Sequence, residues 1–429
     1  MRKIHQKNTV RYFLLLLGVL FFLFLSGDFG LVDVQKTAIV MAVGIDREED
    51  TFIVTSQIAV PQASDQGKAT QTVQIVSRGK TVADAFEEIN AKTGWYPKLV
   101  FCRLILLGEK TTQENAFDAL DFFLLDEYLS DNCLVATCNG FAKDMLNVQA
   151  LVDASGSVAI QKILSAHAQR GGTVLPSTLR EFAIGYYSEI KSGFLPLLKT
   201  VPQQEQVGGN NGADNNEQNS AGASNGSEQS GQNGQNGQDS QSGTQSRQSN
   251  QGGQSKETQK LVFGGSETAL FYAGKRVGVL TEEETFAFNA VKNKLRLASY
   301  SVTDENEETF TLNVKRNTVK TACILGEDAR TVYKIDLRLT AGLLDSSKAF
   351  GVDEGIDGGD TPKAVFSRAE KLLSAQISSA FEKSKNVGCD LFGVLESLQK
   401  REHARFLEVK NTALKNAVLE LTVHFSNIR

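Results

Sequence analysis

Apolar residues in the first half of the chain form runs of strand length separated by short polar turns. The run Thr37–Val43 leads into Gly44-Ile45-Asp46, and a charged turn connects it to a second run, Phe52–Val60. Two such runs around a short turn predict a β-hairpin. The same pattern predicts three further strands, at Thr72–Val76, Leu99–Leu107 and Leu134–Cys138.

Helix starts in this half are marked by a Thr followed three residues later by an acidic residue. In this capping box, the side chain of each residue accepts a hydrogen bond from the backbone N–H of the other. The three pairs are Thr81 with Asp84, Thr111 with Glu114 and Thr178 with Glu181. The second helix is predicted to continue with one apolar face, which contains Phe117, Leu120, Phe123 and Leu124.

The second half repeats the alternation of strands and helices. Ala269–Tyr272 and Arg276–Leu280 flank a Gly-containing turn, which predicts another hairpin. Further strands are predicted at Glu308–Val314, Val319–Ile324, Thr331–Thr340 and Ala417–Phe425. Helices are predicted from Thr281 to about Leu295, from Thr361-Pro362 to near Phe381, and from Asp390 to about His403. The whole pattern predicts a multi-domain α+β fold, with mixed or antiparallel sheets covered by helices.

A polar segment rich in Gln, Asn, Gly and Ser occupies residues 203–257. It has too little apolar surface to offset the entropy of ordering, so it is predicted to be a disordered linker or insertion. Its Gln/Asn content allows a prion-like alternative, but aromatic and β-branched residues are nearly absent. The segment divides the chain into predicted domains at residues 32–202 and 258–429.

The first 28 residues have the pattern of an export signal. Basic residues precede the apolar run Phe13–Leu25, and Leu25-Ser26-Gly27-Asp28 follows at its end. As a helix, the run spans ~20 Å against a hydrocarbon core of ~30 Å. No small-x-small cleavage site follows, which favours an uncleaved signal-anchor helix within residues 1–28. The alternatives are a cleaved, secreted protein and a cytosolic protein with a buried apolar helix.

Composition excludes some classes of function. The formal net charge of −5 argues against nucleic-acid binding, which usually requires a basic stripe. The five cysteines are an odd number and do not form a disulfide framework, although a Cys133–Cys138 bridge is an alternative.

Candidate chemistry is sparse. The four histidines, His5, His167, His403 and His424, lack metal-ligand spacing, and no nucleophile elbow or phosphate-binding loop is present. The acidic stretch Asp353–Asp360 lacks the spacing of a calcium loop and is predicted to be a solvated turn. Trp95-Tyr96-Pro97 is interpreted as a packed corner, with an aromatic binding lip as the alternative. We therefore predict no enzymatic activity, no cofactor, and no catalytic, cofactor-binding or metal-binding residues.

The order of these segments resembles the Ger(x)C family, the C subunits of spore germinant receptors. The resemblance rests on Leu25-Ser26-Gly27-Asp28, Thr37–Asp46, Phe52–Pro61, Leu120–Asp126, Cys138–Leu146, Ser266–Phe271 and Gly278–Thr285. The sequence departs from the family in having Asp28 where the lipidated cysteine stands, so no lipidation is expected. The polar insertion between the two domains is a second departure.

The resemblance implies a non-enzymatic, membrane-anchored subunit on the extracytoplasmic face of the inner spore membrane. Its implied partners are a multi-span A subunit and a transporter-like B subunit, and its implied role is spore germination through protein–protein contacts. An exported ligand-binding or envelope-binding module acting outside a receptor is the alternative.

Overall fold

The structure is a computed structural model. It describes residues 12–22, 37–60, 71–148, 155–202, 261–303, 305, 307–327, 330–347 and 361–428. The predicted linker 203–257, Asp28 and the acidic stretch Asp353–Asp360 lie outside these ranges, and the predictions made for them stay predictions.

Strands and helices alternate along the described chain. The strands are β1 Thr37–Glu48, β2 Thr51–Val60, β3 Gln71–Gly79, β4 Tyr96–Lys98, β5 Leu104–Leu107, β6 Leu134–Cys138, β7 Ser177–Thr178, β8 Ser192–Pro202, β9 Leu261–Tyr272, β10 Lys275–Leu280, β11 Ala298–Thr303, β12 Thr309–Leu325, β13 Thr331–Ser346 and β14 Ala417–Asn427. The helices are α1 12–22, α2 Val82–Thr93, α3 Glu109–Glu114, α4 Phe117–Leu125, α5 Ala142–Asn147, α6 Gly156–Ile163, α7 Ala166–Arg170, α8 Leu179–Tyr187, α9 Glu282–Val291, α10 Lys363–Asn386, α11 Val394–Arg401 and α12 His403–Val409.

The larger of the two sheets is mixed. Its main strand order is β10-β9-β8-β6-β5-β1-β2-β3, with β4 beside β1 and β7 beside β6. The predicted hairpin β1–β2 is antiparallel, as is β2–β3, whereas β1, β5, β6 and β8 pair in parallel. Parallel neighbours need long crossovers, and α3 and α4 supply the one between β5 and β6.

Strands from both sides of residues 203–257 share this sheet. β9 lies next to β8, and β10 forms the edge beyond it. The side chain of Phe271 on β9 is buried and makes an edge contact with Phe182 of α8, with ring centroids 5.0 Å apart. The first sheet is therefore completed by residues that follow the polar segment.

The second sheet has the order β11-β12-β13-β14. β11, β12 and β13 form an antiparallel meander, and β14 adds in parallel to β13. Burial alternates along β11 with a period of two, so one face contacts the core and the other contacts solvent. The long helix α10 covers the buried face through Phe366, Leu373, Ile377 and Phe381. Two helix-covered sheets, one mixed and one largely antiparallel, confirm the predicted α+β class.

Two of the three predicted capping boxes are present, at the starts of α2 and α8, and the helix predicted from Thr281, α9, also begins with one. The capping box predicted at Thr111 is wrong. α3 begins earlier, at Glu109, and the hydroxyls of Thr111 and Thr112 donate to the carbonyls of Ile45 and Glu109 instead. Asn115 is extended, at φ −146°, so the predicted single helix is split into α3 and α4.

Several predicted boundaries are also corrected. In the predicted strand Leu99–Leu107 only Leu104–Leu107 is a strand, because Cys102 N donates to Leu99 O and closes a turn. The two strands predicted between Glu308 and Ile324 are one continuous strand, β12, with a register shift near Arg316. Helix α9 ends at Val291 rather than near Leu295. Helix α10 continues past Phe381 to Asn386, and its N-cap is Pro362 rather than Thr361. Helix α11 starts at Val394 rather than Asp390.

α1 lies within the predicted anchor segment. All its large apolar side chains are exposed, by 50% to 73% of their area. Within the described residues, no helix combines the length and the apolar character needed to cross a membrane.

Candidate interaction surfaces

Asp46 is the centre of a buried polar cluster at the carboxyl ends of β1, β5 and β6. Its Oδ1 accepts a hydrogen bond from Ala142 N at 2.7 Å, and its Oδ2 accepts one from Lys143 N at 3.0 Å. These bonds satisfy the first amides of α5. Burial raises the pKa of Asp46 above its ordinary value, against the two backbone hydrogen bonds, which lower it.

Gly108 makes room for this carboxylate, and Gly44 makes room for the side chains of α5. A β-carbon on Gly108 would stand 2.0 Å from Oδ1 of Asp46, and one on Gly44 would stand 2.9 Å from the Leu146 side chain. The Gly-Ile-Asp motif therefore positions β1 against the start of α5.

A second layer of charge covers the cluster. Arg276 of β10 donates from Nη2 to Glu109 Oε1 at 2.8 Å and from Nη1 to Asn139 Oδ1 at 3.2 Å. Gly140 N donates to the other oxygen of Glu109 at 3.0 Å, which is the main reason that the pKa of Glu109 is lowered. The carboxyl ends of parallel strands often bind ligands, but here the protein's own groups occupy that position. Sequence reasoning singled out the Gly44–Asp46 motif but missed Glu109 and Arg276, which no local pattern connects.

A groove of about 810 Å³ lies between residues from the two halves of the chain. Its walls include Leu175 and Phe194, and Lys292 and Asp390 contribute polar groups. Asp390 accepts hydrogen bonds from the backbone N–H groups of Val394, Leu395 and Glu396 at 2.7, 2.8 and 3.2 Å, and so caps α11. Burial raises the pKa of Asp390 to about 6, because desolvation outweighs these hydrogen bonds.

Lys292 is the unusual cation of this groove. The residue keeps exposed area, yet the protein around its ammonium group desolvates it and lowers its pKa. Nζ lies 5.2 Å from the centroid of the Phe288 ring. Within the described residues, no carboxylate forms an ion pair with it.

The histidines and cysteines considered in the sequence do not come together in one site. His167, His403 and His424 are exposed and lie on α7, α12 and β14, and His424 Nδ1 is 3.1 Å from Glu370 Oε1. Cys133 and Cys138 are free, which excludes the bridge between them. A hydrogen bond with Cys102, together with burial, raises the pKa of the Cys133 thiol, and burial raises the pKa of the Cys138 thiol. Across the described ranges, no three His, Cys, Asp or Glu side chains are grouped as metal ligands.

Apolar side chains are exposed at the end of the first sheet where β1 begins. Trp95 and Tyr96 expose 43% and 45% of their area, so the packed-corner interpretation is wrong, and the alternative of an aromatic binding lip stays a prediction. Val100 and Phe101 expose 48% and 51%, because the turn after Leu99 presents them to solvent.

Comparison with known proteins identifies the family. Residues 31–200 match the family model described as spore germination protein N-terminal domain, and residues 266–429 match the one described as spore germination B3/GerAC-like, C-terminal. No curated protein matches the chain. Among solved structures, it is similar to one titled "Crystal Structure of the GerBC protein", with 14% identity, a TM-score of 0.45, and coverage of 90% of this chain and 97% of that one. The two family models match in order and over most of the sequence, and the chain therefore belongs to the Ger(x)C family of spore germinant receptor C subunits.

Proposed function

We propose that this protein is a membrane-anchored, non-enzymatic subunit of a spore nutrient germinant receptor. The observation that carries the proposal is the ordered match to the two germination-protein domains. The proposed partners are a multi-span A subunit and a transporter-like B subunit. The location is the extracytoplasmic face of the inner spore membrane.

The apolar run Phe13–Leu25 would be the anchor. At roughly −0.5 kcal/mol for each central Leu or Phe, its insertion into a bilayer is favourable by several kcal/mol. The exposed apolar side chains of α1 support this role, because a helix that is apolar all round needs lipid or protein around it. Asp28 has no thiol to carry a thioether-linked lipid, so the helix itself would hold the protein at the membrane.

The buried polar groups support a role through surfaces. The carboxylates of Asp46 and Asp390 accept hydrogen bonds from backbone N–H groups at the starts of α5 and α11. Buried Glu284 accepts hydrogen bonds from Lys383 Nζ at 2.6 Å and Ser379 Oγ at 2.7 Å. These side chains hold elements together, which leaves the exposed surfaces for contacts with partners.

Co-purification tests this function. The full chain, tagged at its C-terminus, would be expressed in a sporulating strain that lacks it and purified from detergent-solubilised spore membranes. We expect multi-span subunits to co-purify and the nutrient response to be restored. A variant without residues 13–25 should lose both properties, whereas His403→Ala, at an exposed position, should retain both. Normal abundance with no co-purifying subunit and no effect on germination would contradict the proposal.

The groove around Lys292 favours a second candidate, an exported ligand-binding module that acts outside a receptor. A volume of about 810 Å³ is enough for a small molecule, and its partly apolar walls with a few polar groups are typical of ligand sites. This function requires that loss of the chain leaves the response of the receptor to nutrients unchanged. The germination assay above therefore distinguishes the two candidates.

A further inference from the structure

Three strands of the first sheet meet at one apolar end. β1 begins there, β2 ends there, and β3 begins there, with Ile39 opposite Ala59 and Ala59 opposite Thr72. The opposite end of the hairpin carries the charged turn after Glu48.

Each face of the sheet has an apolar hollow at this end. One, of about 220 Å³, is lined by Ala38, Ile58, Val73 and Trp95. The other, of about 400 Å³, is lined by Ile39, Met41, Phe101 and Val158. Neighbouring residues of a strand point to opposite faces, which explains why Ala38 belongs to one hollow and Ile39 to the other.

The rim of this end is aromatic, with basic residues in the segment after Tyr96 and acidic residues of α2, among them Glu87 and Glu88, on the other side of Tyr96. Val73, Trp95, Tyr96, Val100 and Phe101 each expose between 43% and 51% of their area. Lys98 and Arg103 are the charged residues between Tyr96 and Leu104, and both are basic. Contiguous exposed apolar surface with a polar rim marks an interaction site. Trp and Tyr favour the water–lipid boundary, and basic side chains are attracted to anionic headgroups.

The position of this end along the chain limits its distance from the apolar helix. Thr37, the first residue of β1, follows the last described residue of α1, Phe22, by fifteen positions. A chain of that length reaches at most ~50 Å when fully extended. The covalent connection therefore keeps the start of β1 within that distance of the apolar helix.

We propose that this apolar end, made of Val73, Trp95, Tyr96, Val100 and Phe101, docks on the surface of the lipid bilayer that holds the anchor. The inference rests on the anchoring in the proposed function. The five side chains enter the interface, and Lys98 and Arg103 face the headgroups. Docking then sets the orientation of the first sheet on the membrane, with the Asp46 cluster at the end away from the lipid.

Trp95 is a built-in reporter, because the chain has one tryptophan. The full chain would be reconstituted into vesicles of mixed zwitterionic and anionic phospholipid, with either ordinary or brominated acyl chains. Bromine quenches indole fluorescence at short range. We expect brominated vesicles to remove most of the Trp95 emission and aqueous iodide to quench it weakly.

A relocated reporter is the matched control. Trp95→Phe combined with Tyr272→Trp places the indole just before the β9–β10 turn. That turn lies away from the apolar end. Gly274 O accepts a hydrogen bond from Ala116 N, and Ala116 follows α3 at the carboxyl end of β5, whereas the apolar end is where the parallel strand β1 begins. Tyr272 is also 45% exposed, so the two reporters have similar access to solvent. We expect this variant to lose little emission to bromine and much to iodide.

Vesicle flotation separates the two proposals. If the protein fails to float with the vesicles, the anchor itself is wrong. If it floats but Trp95 emits equally in both vesicle types, docking is wrong and the anchor stands. The second outcome includes burial of Trp95 against a second copy of the chain or another protein.

Polar substitutions give a second readout. Val100→Ser with Phe101→Ser should reduce the quenching of Trp95 by bromine and increase its quenching by iodide. Leu344→Ser on β13, which removes a similarly exposed apolar side chain elsewhere, should change neither. An equal effect of the two substitutions would overturn the proposal.

Discussion

Asp390 shows how one buried carboxylate can join parts of the protein that are distant in sequence. Its side chain accepts hydrogen bonds from three amides at the start of α11, and its backbone N–H donates to Ser192 Oγ at the start of β8 at 2.9 Å. The cost of this arrangement is desolvation of the charge, which raises the pKa of Asp390 from 3.8 to about 6. The residue is therefore a structural link whose strength depends on pH.

We expect Asp390 to lower the free energy of unfolding as the pH rises from about 4 to about 6. In that interval the folded state holds a proton that the unfolded state has lost, so raising the pH favours unfolding, by about 3 kcal/mol in total for a shift of this size. Asp390→Asn should reduce this slope. Urea unfolding of the wild-type protein and of Asp390→Asn would be measured at several pH values. The other carboxylates are the same in both proteins, so the difference between the two pH profiles isolates Asp390. Parallel pH profiles would show that Asp390 is ionised without penalty.

The junction of β1, β5 and α5 illustrates how individual strands and helices are positioned. Asp46 at the end of β1 caps α5, and Gly108 after β5 leaves the space that its carboxylate occupies. Gly108 N also donates to Ile45 O at 2.9 Å, so it cannot move away from β1 without loss of that bond. The three elements are locked at one point.

Gly108→Ala should be among the more destabilising small substitutions in this chain. Its β-carbon would displace the carboxylate of Asp46, and overpacking of this kind costs about 1–3 kcal/mol. Gly171→Ala is the matched control, because Gly171 has φ −71°, which alanine adopts readily. Thermal or urea unfolding measures both. If the two variants were equally stable, the contact between Gly108 and Asp46 would have no energetic importance.

The fold as a whole joins the two halves of the chain through one sheet. β9 and β10 follow the polar segment but complete the sheet that β1–β8 begin. Arg276 of β10 reinforces this junction through Glu109, and Phe271 of β9 enters the core beside Phe182. Cutting the chain in the polar segment would break no part of this interface.

We therefore expect a protein cleaved near Arg247 or Lys256 to remain one particle. Trypsin would be used in limiting amount, and the product analysed by size-exclusion chromatography in native buffer and in denaturant. The two fragments should elute together at the position of uncut protein in native buffer and separate in denaturant. Separate elution in native buffer would show that the shared sheet contributes little to holding the halves together.

Local patterns were sufficient for most elements and for the family. Capping boxes at Thr81, Thr178 and Thr281 and the hairpins β1–β2 and β9–β10 depend on residues a few positions apart, so a short stretch of sequence carries the signal. The order of the motifs led to the Ger(x)C family without any knowledge of how they pack.

Tertiary contacts decided the rest, because they join residues that are far apart in the sequence. The helix predicted from Thr111 is divided because Asn115 adopts an extended conformation and its side chain bonds Phe117 N, while Thr111 donates to Ile45 across the strand junction. Arg276 forms its hydrogen bond with Glu109 across 167 positions of sequence. Asp390 lines the groove because the two halves of the chain pack together there. The exposure of Trp95 and Phe101 likewise depends on which faces the sheet leaves uncovered. Local spacing predicted the buried face of α4 at Phe117, Leu120 and Phe123, but pairing between distant residues and the faces that stay uncovered are properties of the assembled fold.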